Sequence, residues 1–254
     1  MKINLQGADN ARDFRGIKNI YGRSINTRRF IRSNHLNSLT EDDIHVLTEE
    51  YGLVKIIDLR TVLEVGQKPD AMMKGVEHIH IPLFDESAIG ITHEADTDMQ
   101  AAGLADIPDM GALYRRIVDD DYSVSQLSKV MNIIAENENG AILWHCTEGK
   151  DRCGIVSAMF LSMLDVGIGT VMEDYLNTNI AAAKRAEEFY RNVIRITGDK
   201  DKALEVRNAF MANEDYLNAA LNTIFGQYSS VKEYVEKRLN VNSEKIEKLQ
   251  KICF

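Results

Sequence analysis

The chain has 254 residues, 44% of them hydrophobic and 27% charged, which fits a globular chain with a substantial core and excludes a disordered or fibrous one. Its formal net charge of -9 argues against a general nucleic-acid or anionic-membrane binder, whose affinity would come from a cationic surface. An anionic substrate must therefore meet positive charge locally.

Residues 1–10 carry no apolar signal-peptide core, and no stretch approaches the roughly 18 apolar residues of a membrane span, so stable membrane insertion is not expected. In chain order, β-rich runs at 29–31, 53–57, 78–81 and 141–144 predict buried strands. Between them, 40–51 reads as a helix that Thr40 can cap, and 123–136 as a second, with Val124, Leu127, Val130, Met131 and Ile134 at helical spacing. This alternation predicts an α/β fold with a central, mainly parallel sheet flanked by helices. Residues 85–108, rich in Gly, Asp, Thr and Ala, are long for a connection and read either as a lid or as a plain surface insertion. Beyond Gly154 helical periodicity takes over at 181–196, 214–225, 230–239 and 243–252, giving a helical C-terminal layer. There is no internal repeat, and 1–254 is read as one domain. Cys146, Cys153 and Cys253 fit neither a disulfide framework nor a zinc site, so a reducing, cytoplasmic setting is expected, with export by a signal-less route left open.

The chemistry gathers at the strand-to-helix turn His145-Cys146-Thr147-Glu148-Gly149-Lys150-Asp151-Arg152. At a helix N-terminus unpaired N–H groups converge at the positive end of the macrodipole, forming an anion cradle built from Thr147, Glu148, Gly149, Lys150 and Arg152. A cysteine at its mouth has its thiolate stabilised by those N–H groups and by the guanidinium, which makes Cys146 a candidate nucleophile at neutral pH. Arg152 can offer two phosphate oxygens a planar fork that lysine cannot imitate. Gly149 allows the tight turn.

This loop resembles the protein tyrosine phosphatase signature His-Cys-x5-Arg, and its longer form His-Cys-x-x-Gly-Lys-Asp-Arg-x-Gly is similar to that of bacterial phosphatases acting on phosphotyrosine and phosphoinositides. Asn10-Ala11-Arg12-Asp13, Ile31-Arg32-Ser33, Asp58-Leu59-Arg60 and Asp174-Tyr175-Leu176 look like the accessory motifs of that family. The resemblance implies a cysteine phosphatase fold and metal-free, cofactor-free, two-step transfer through a cysteinyl-phosphate, with a phosphorylated protein or phosphoinositide as substrate. It assigns general acid and base to Asp151; Asp85 is the alternative if the acid comes from a separate loop. His145 is expected to support the loop, Arg12, Asp13, Asp58 and Arg60 to be ion-paired scaffolding, and Lys150 to add a cation suited to a polyanionic substrate.

The chain departs from the family in two places. Arg15 stands at a usual glycine. Cys153 replaces a hydroxyl that donates to the thiolate, so it is a weaker donor, a redox partner of Cys146 or apolar filler. A phospho-binding pseudophosphatase and a thiol sulfurtransferase or arsenate reductase are the competing classes. Intact Cys146, Asp151 and Arg152 weigh against the first, and the Gly-Lys-Asp-Arg string against the second.

Overall fold

The computed structural model describes residues 1–85 and 109–254, so the lid or insertion expected over 85–108 falls outside the described residues except for Asp85. Five strands form one sheet: β1 (Arg12–Asp13), β2 (Phe30–Ser33), β3 (Leu53–Asp58), β4 (Glu77–His80) and β5 (Ala141–His145), in the spatial order β1-β2-β5-β3-β4. β1 runs antiparallel to β2 and the other three pairings are parallel, as the alternation of strands and helices led one to expect.

Parallel neighbours need crossovers, and helices supply them. Between β2 and β3 lies α1 (Glu41–His45), which continues as a π-helical turn over Val46–Glu50. Thr40 does cap α1, in a reciprocal box with Asp43. α2 (Val62–Gln67) links β3 to β4, and α3 (Met110–Asp119) and α4 (Asp121–Ala135) precede β5.

Both faces of β5 are covered, which explains its unbroken apolar run. Ile142 and Trp144 enter the main core, while Ala141 and Leu143 alternate into a second cluster with Ile3, Leu36, Leu47 and Ile56. α5 (Asp151–Met163) follows the loop and is buried at every position but Ser162, so it is the central helix.

The expected helical layer comprises α6 (Ile168–Leu176), α7 (Thr178–Thr197), α8 (Lys200–Phe210), α9 (Glu214–Phe225), α10 (Val231–Lys237) and α11 (Ser243–Cys253). The last three feed Leu217, Leu221, Val235 and Leu249 into the main core, whereas α7 and α8 close a small core of their own around Ala186, Val193, Val206 and Phe210. No helix among the described residues is long and apolar enough to cross a membrane.

Candidate active site

β5 lies between β2 and β3, so its carboxyl end opens at the point where neighbouring connections leave in opposite directions, the usual ligand crevice of such sheets. The chain leaves β5 at His145, turns, and enters α5 at Asp151. The turn is held from outside by its carbonyls. Thr147 O accepts from the His35 N–H (3.1 Å). Glu148 O accepts from Asn10 Nδ2 (3.0 Å), and Gly149 O from both Asn10 Nδ2 (3.3 Å) and Arg32 Nη2 (2.7 Å). Peptide planarity then leaves the corresponding N–H groups for the loop interior, the arrangement of an anion nest. Gly149 sits at φ +65°, and a Cβ there would lie 2.6 Å from Ser33 O at the end of β2, so the close approach requires glycine.

Those outer clamps are themselves braced. Arg32 pairs with Asp174 Oδ2 (2.6 Å), and Arg12 pairs with Asp174 Oδ1 (3.1 Å) while donating to Asn10 Oδ1 (2.5 Å). Arg60 forks onto Asp58 and reaches Asp70 (2.9 Å), and Arg15 pairs with Asp13 (2.9 Å). The residues read as ion-paired scaffolding are ion-paired here. His145 is fully buried with Nε2 2.8 Å from Asp70 Oδ2; burial opposes its charge, but Asp58 and Asp70 outweigh it and raise its pKa. Among the described residues, Asp58, Asp70 and His145 are a group that could hold a metal ion, and the Arg60 guanidinium already supplies positive charge to both carboxylates.

Cys146 is 2% exposed. Burial alone would raise its pKa, yet the Cys153 thiol, the Arg152 charge and the Cys153 N–H together bring it down to about 6. It is therefore a thiolate at neutral pH. The Cys153 sulfur also lies 3.6 Å from Ser33 O and 3.8 Å from Trp144 O; burial and the neighbouring Cys146 push its own pKa well up, so it remains a protonated donor.

Arg152 is held by a residue the sequence reading did not single out. Glu64 accepts from Nη1 (2.6 Å) and Nη2 (2.7 Å), and also from Thr147 Oγ1 (2.7 Å). Burial would raise the Glu64 pKa, but Arg152 dominates and takes it to about 2; burial would likewise lower the Arg152 pKa, and Glu64 drives it above its usual value. Glu64 also closes the capping box of α2 with Thr61. That Thr-x-x-Glu pattern directly after Asp58-Leu59-Arg60 was a readable signal for its placement.

Two side chains expected in the cradle point elsewhere. The Glu148 carboxylate, which would repel an anion, pairs with Arg185 (2.5 Å). The Lys150 ammonium is fully buried, donates to Ala209 O in the last turn of α8 (2.5 Å) and lies 3.5 Å from Asp151 Oδ1. A buried ammonium needs such acceptors, and the carbonyl end of a helix supplies one. Both residues face the loop interior through the backbone only. Asp151 Oδ1 accepts from Tyr114 OH (2.7 Å), and Tyr114 OH in turn meets Tyr175 OH (2.7 Å). Asp85 is not part of the loop: it follows Phe84, whose ring lies 5.8 Å from the Arg152 guanidinium, and its side chain is 41% exposed and 3.4 Å from Arg116. Nucleophile, clamp and carboxylate thus share one loop, an arrangement able to transfer a phosphoryl group to sulfur and on to water.

Three known proteins are similar to this chain. A tyrosine-protein phosphatase of Nostoc commune is 31% identical over 147 residues, which cover 58% of this chain and 47% of that protein; the chain thus spans about half the length of that relative. A putative tyrosine-protein phosphatase of Cupriavidus necator is 23% identical over 92% of this chain and 82% of its own length. The triple specificity protein phosphatase PtpB of Mycobacterium tuberculosis is 25% identical over 91% of both chains. Residues 3–253 match the tyrosine phosphatase family as a whole, and on that match the chain belongs to it.

Proposed function

We propose that this chain is a cysteine-dependent phosphate monoester hydrolase, a single catalytic domain acting on phosphotyrosine proteins and/or phosphoinositides. The observation that carries this reading is the strand-to-helix loop that starts at Cys146, is clamped through its carbonyls by Asn10 and Arg32 and ends at an Arg152 guanidinium fixed by Glu64, a setting that lowers the thiol pKa to about 6. Cys146 attacks phosphorus, an S–P bond forms and the ester P–O bond breaks, with Asp151 giving its proton to the departing oxygen. Water then attacks the cysteinyl-phosphate, Asp151 takes a proton back, the S–P bond breaks and inorganic phosphate leaves.

Asp151 is preferred over Asp85 because it is built into the loop and buried, whereas Asp85 is half exposed beside Arg116. Kinship with a triple specificity phosphatase supports a site that admits more than one phosphoester. The engagement of Lys150 with Ala209 O removes the side chain on which a special preference for polyanionic lipids would rest. Buried free Cys146, Cys153 and Cys253 favour a cytoplasmic setting.

Release of nitrophenol from para-nitrophenyl phosphate without added metal tests the reading. Wild type should turn over and Cys146→Ser should not exceed background. Equal turnover by the variant would overturn the nucleophile assignment, and an inactive wild type would favour a phospho-binding module.

A further inference from the structure

Two tyrosine hydroxyls outside the loop line up in series on one oxygen of Asp151. Tyr175 and Tyr114 share an OH···OH hydrogen bond of 2.7 Å, and Tyr114 OH donates to Asp151 Oδ1 over 2.7 Å. Because Tyr114 spends its only proton on Asp151, the proton between the two tyrosines must come from Tyr175. The chain is therefore directed, Tyr175 to Tyr114 to Asp151, the second donor strengthened by the one behind it. Both rings are locked. Tyr114 is fully buried, Tyr175 is 1% exposed, and the two meet edge to face at 6.1 Å. Gly154, in the first turn of α5, makes room for Tyr175: a Cβ there would lie 2.9 Å from Cδ2 of the ring. The Lys150 ammonium approaches the same carboxylate oxygen, Oδ1, at 3.5 Å. Among the described residues no hydrogen bond reaches Oδ2.

We propose that Tyr114 is a positioning residue that, backed by Tyr175, reserves Oδ1 of Asp151 as an acceptor and so confines the transferable proton to Oδ2. This rests on the reading of Asp151 as the general acid. An oxygen accepting a short hydrogen bond from a fixed donor cannot also carry the acidic proton toward that donor, so protonated Asp151 has one productive form. Without the tyrosine hydroxyl the proton divides between two oxygens and the carboxyl group can rotate, which lowers the fraction of enzyme able to protonate a leaving group.

The test is a series of aryl phosphates with leaving phenols from strongly acidic (2,4-dinitrophenol) to weakly acidic (phenol), measured as kcat/KM with wild type, Tyr114→Phe, Tyr175→Phe and Asp151→Asn. For a leaving group that departs unaided the Tyr114→Phe loss should stay within about threefold, and for phenyl phosphate it should reach about 10- to 100-fold, a part of the 10²–10⁴ typical of general acid catalysis. Tyr175→Phe keeps the direct donor to Asp151 and should show the same trend at smaller size. Asp151→Asn should show the steepest dependence. A structural defect alone would lower every substrate alike, so a uniform loss, or no loss on phenyl phosphate, in Tyr114→Phe overturns the proposal while a steep Asp151→Asn series keeps the acid assignment intact. A flat Asp151→Asn series would overturn both. Should Tyr114→Phe fail to fold, Tyr175→Phe carries the decision by the same criterion.

Discussion

Arg152 shows how a single buried partner converts a flexible cation into a fixed clamp. Its two terminal nitrogens are bonded to Glu64 at 2.6 and 2.7 Å, so the guanidinium plane is fixed before any anion arrives at its remaining N–H groups, and little side-chain entropy is left to lose on binding. The same pair has a pH signature. Glu64 titrates near 4.5 when unfolded and near 2 in the fold, so its contribution to stability is complete above about 4.5 and fades as pH falls toward 2. The gap corresponds to on the order of 3 kcal/mol. Glu64→Gln should lower the melting temperature at neutral pH by several degrees, flatten its fall between about pH 5 and 3, and raise KM more than it lowers the thermal stability of the loop would suggest, because Arg152 loses its aim. A melting curve series against pH checks this, and an unchanged slope in the variant would remove Glu64 as the titrating group. Cys146, Asp151 and Arg152 were legible in the sequence because they lie within one contiguous loop. The pairing of Glu64 with Arg152, 88 positions away, was not, although the capping pattern placed Glu64 in a first helical turn, since chain separation hides a contact that only the β3–β5 register brings about.

At the scale of elements, the loop works because β2 and α5 are brought against it without intervening side chains. Gly149 stands at φ +65° with the carbonyl of Ser33 where a Cβ would go, and a backbone carbonyl of a central strand has nowhere to yield. Gly149→Ala should cost about 2–4 kcal/mol from left-handed strain and overpacking together, and should weaken inhibition by inorganic phosphate at least tenfold in whatever fraction folds. Denaturant unfolding and a phosphate inhibition constant measure the two effects. β3 and β5 were readable because buried parallel strands are near-continuous apolar runs; the strand expected to be buried at 78–81 is the edge strand β4, with no buried residue, the two-residue β1 escaped, and the helices over 214–225 and 243–253 were readable because their apolar positions recur at helical spacing. Of the helices that escaped, α2 and α6 are short and α8 is mostly polar, whereas α3 was readable, since Met110, Leu113, Tyr114, Ile117 and Val118 recur at helical spacing. In α2 the reason is plain: Val62 and Leu63 face solvent, at 61% and 41% exposure, and the residue that matters is the buried, charged Glu64. A hydrophobic pattern cannot report a helix whose task is to present a carboxylate.

Across the whole molecule, stability is unevenly distributed, and the active loop touches both the strong and the weak part. The main core runs without interruption from the sheet through α5 to α9, α10 and α11, whereas α7 and α8 pack chiefly on each other around Val193, Val206 and the stacked rings of Phe189 and Phe210, 4.0 Å apart. What ties this hairpin down is mainly polar: Asn179 exchanges two hydrogen bonds with Ala212, Arg185 pairs with Glu148, and Lys150 holds Ala209 O. The last two ties come from the catalytic loop itself. A unit with little shared apolar area opens at lower free energy than the core it rests on. Amides of α7 and α8 should therefore exchange through a sub-global opening, with protection several kcal/mol below that of β5 and α5 and with weaker dependence on denaturant. Lys150→Met, which keeps the apolar stem but removes the tie to Ala209, should lower protection in α8 while leaving that of β5 nearly unchanged. Native-state hydrogen exchange followed by mass spectrometry resolves the two populations. Equal protection across the hairpin and the central helix would mean that the polar ties bind it into one cooperative unit, and that the loop is then braced by the whole fold and not by the sheet alone.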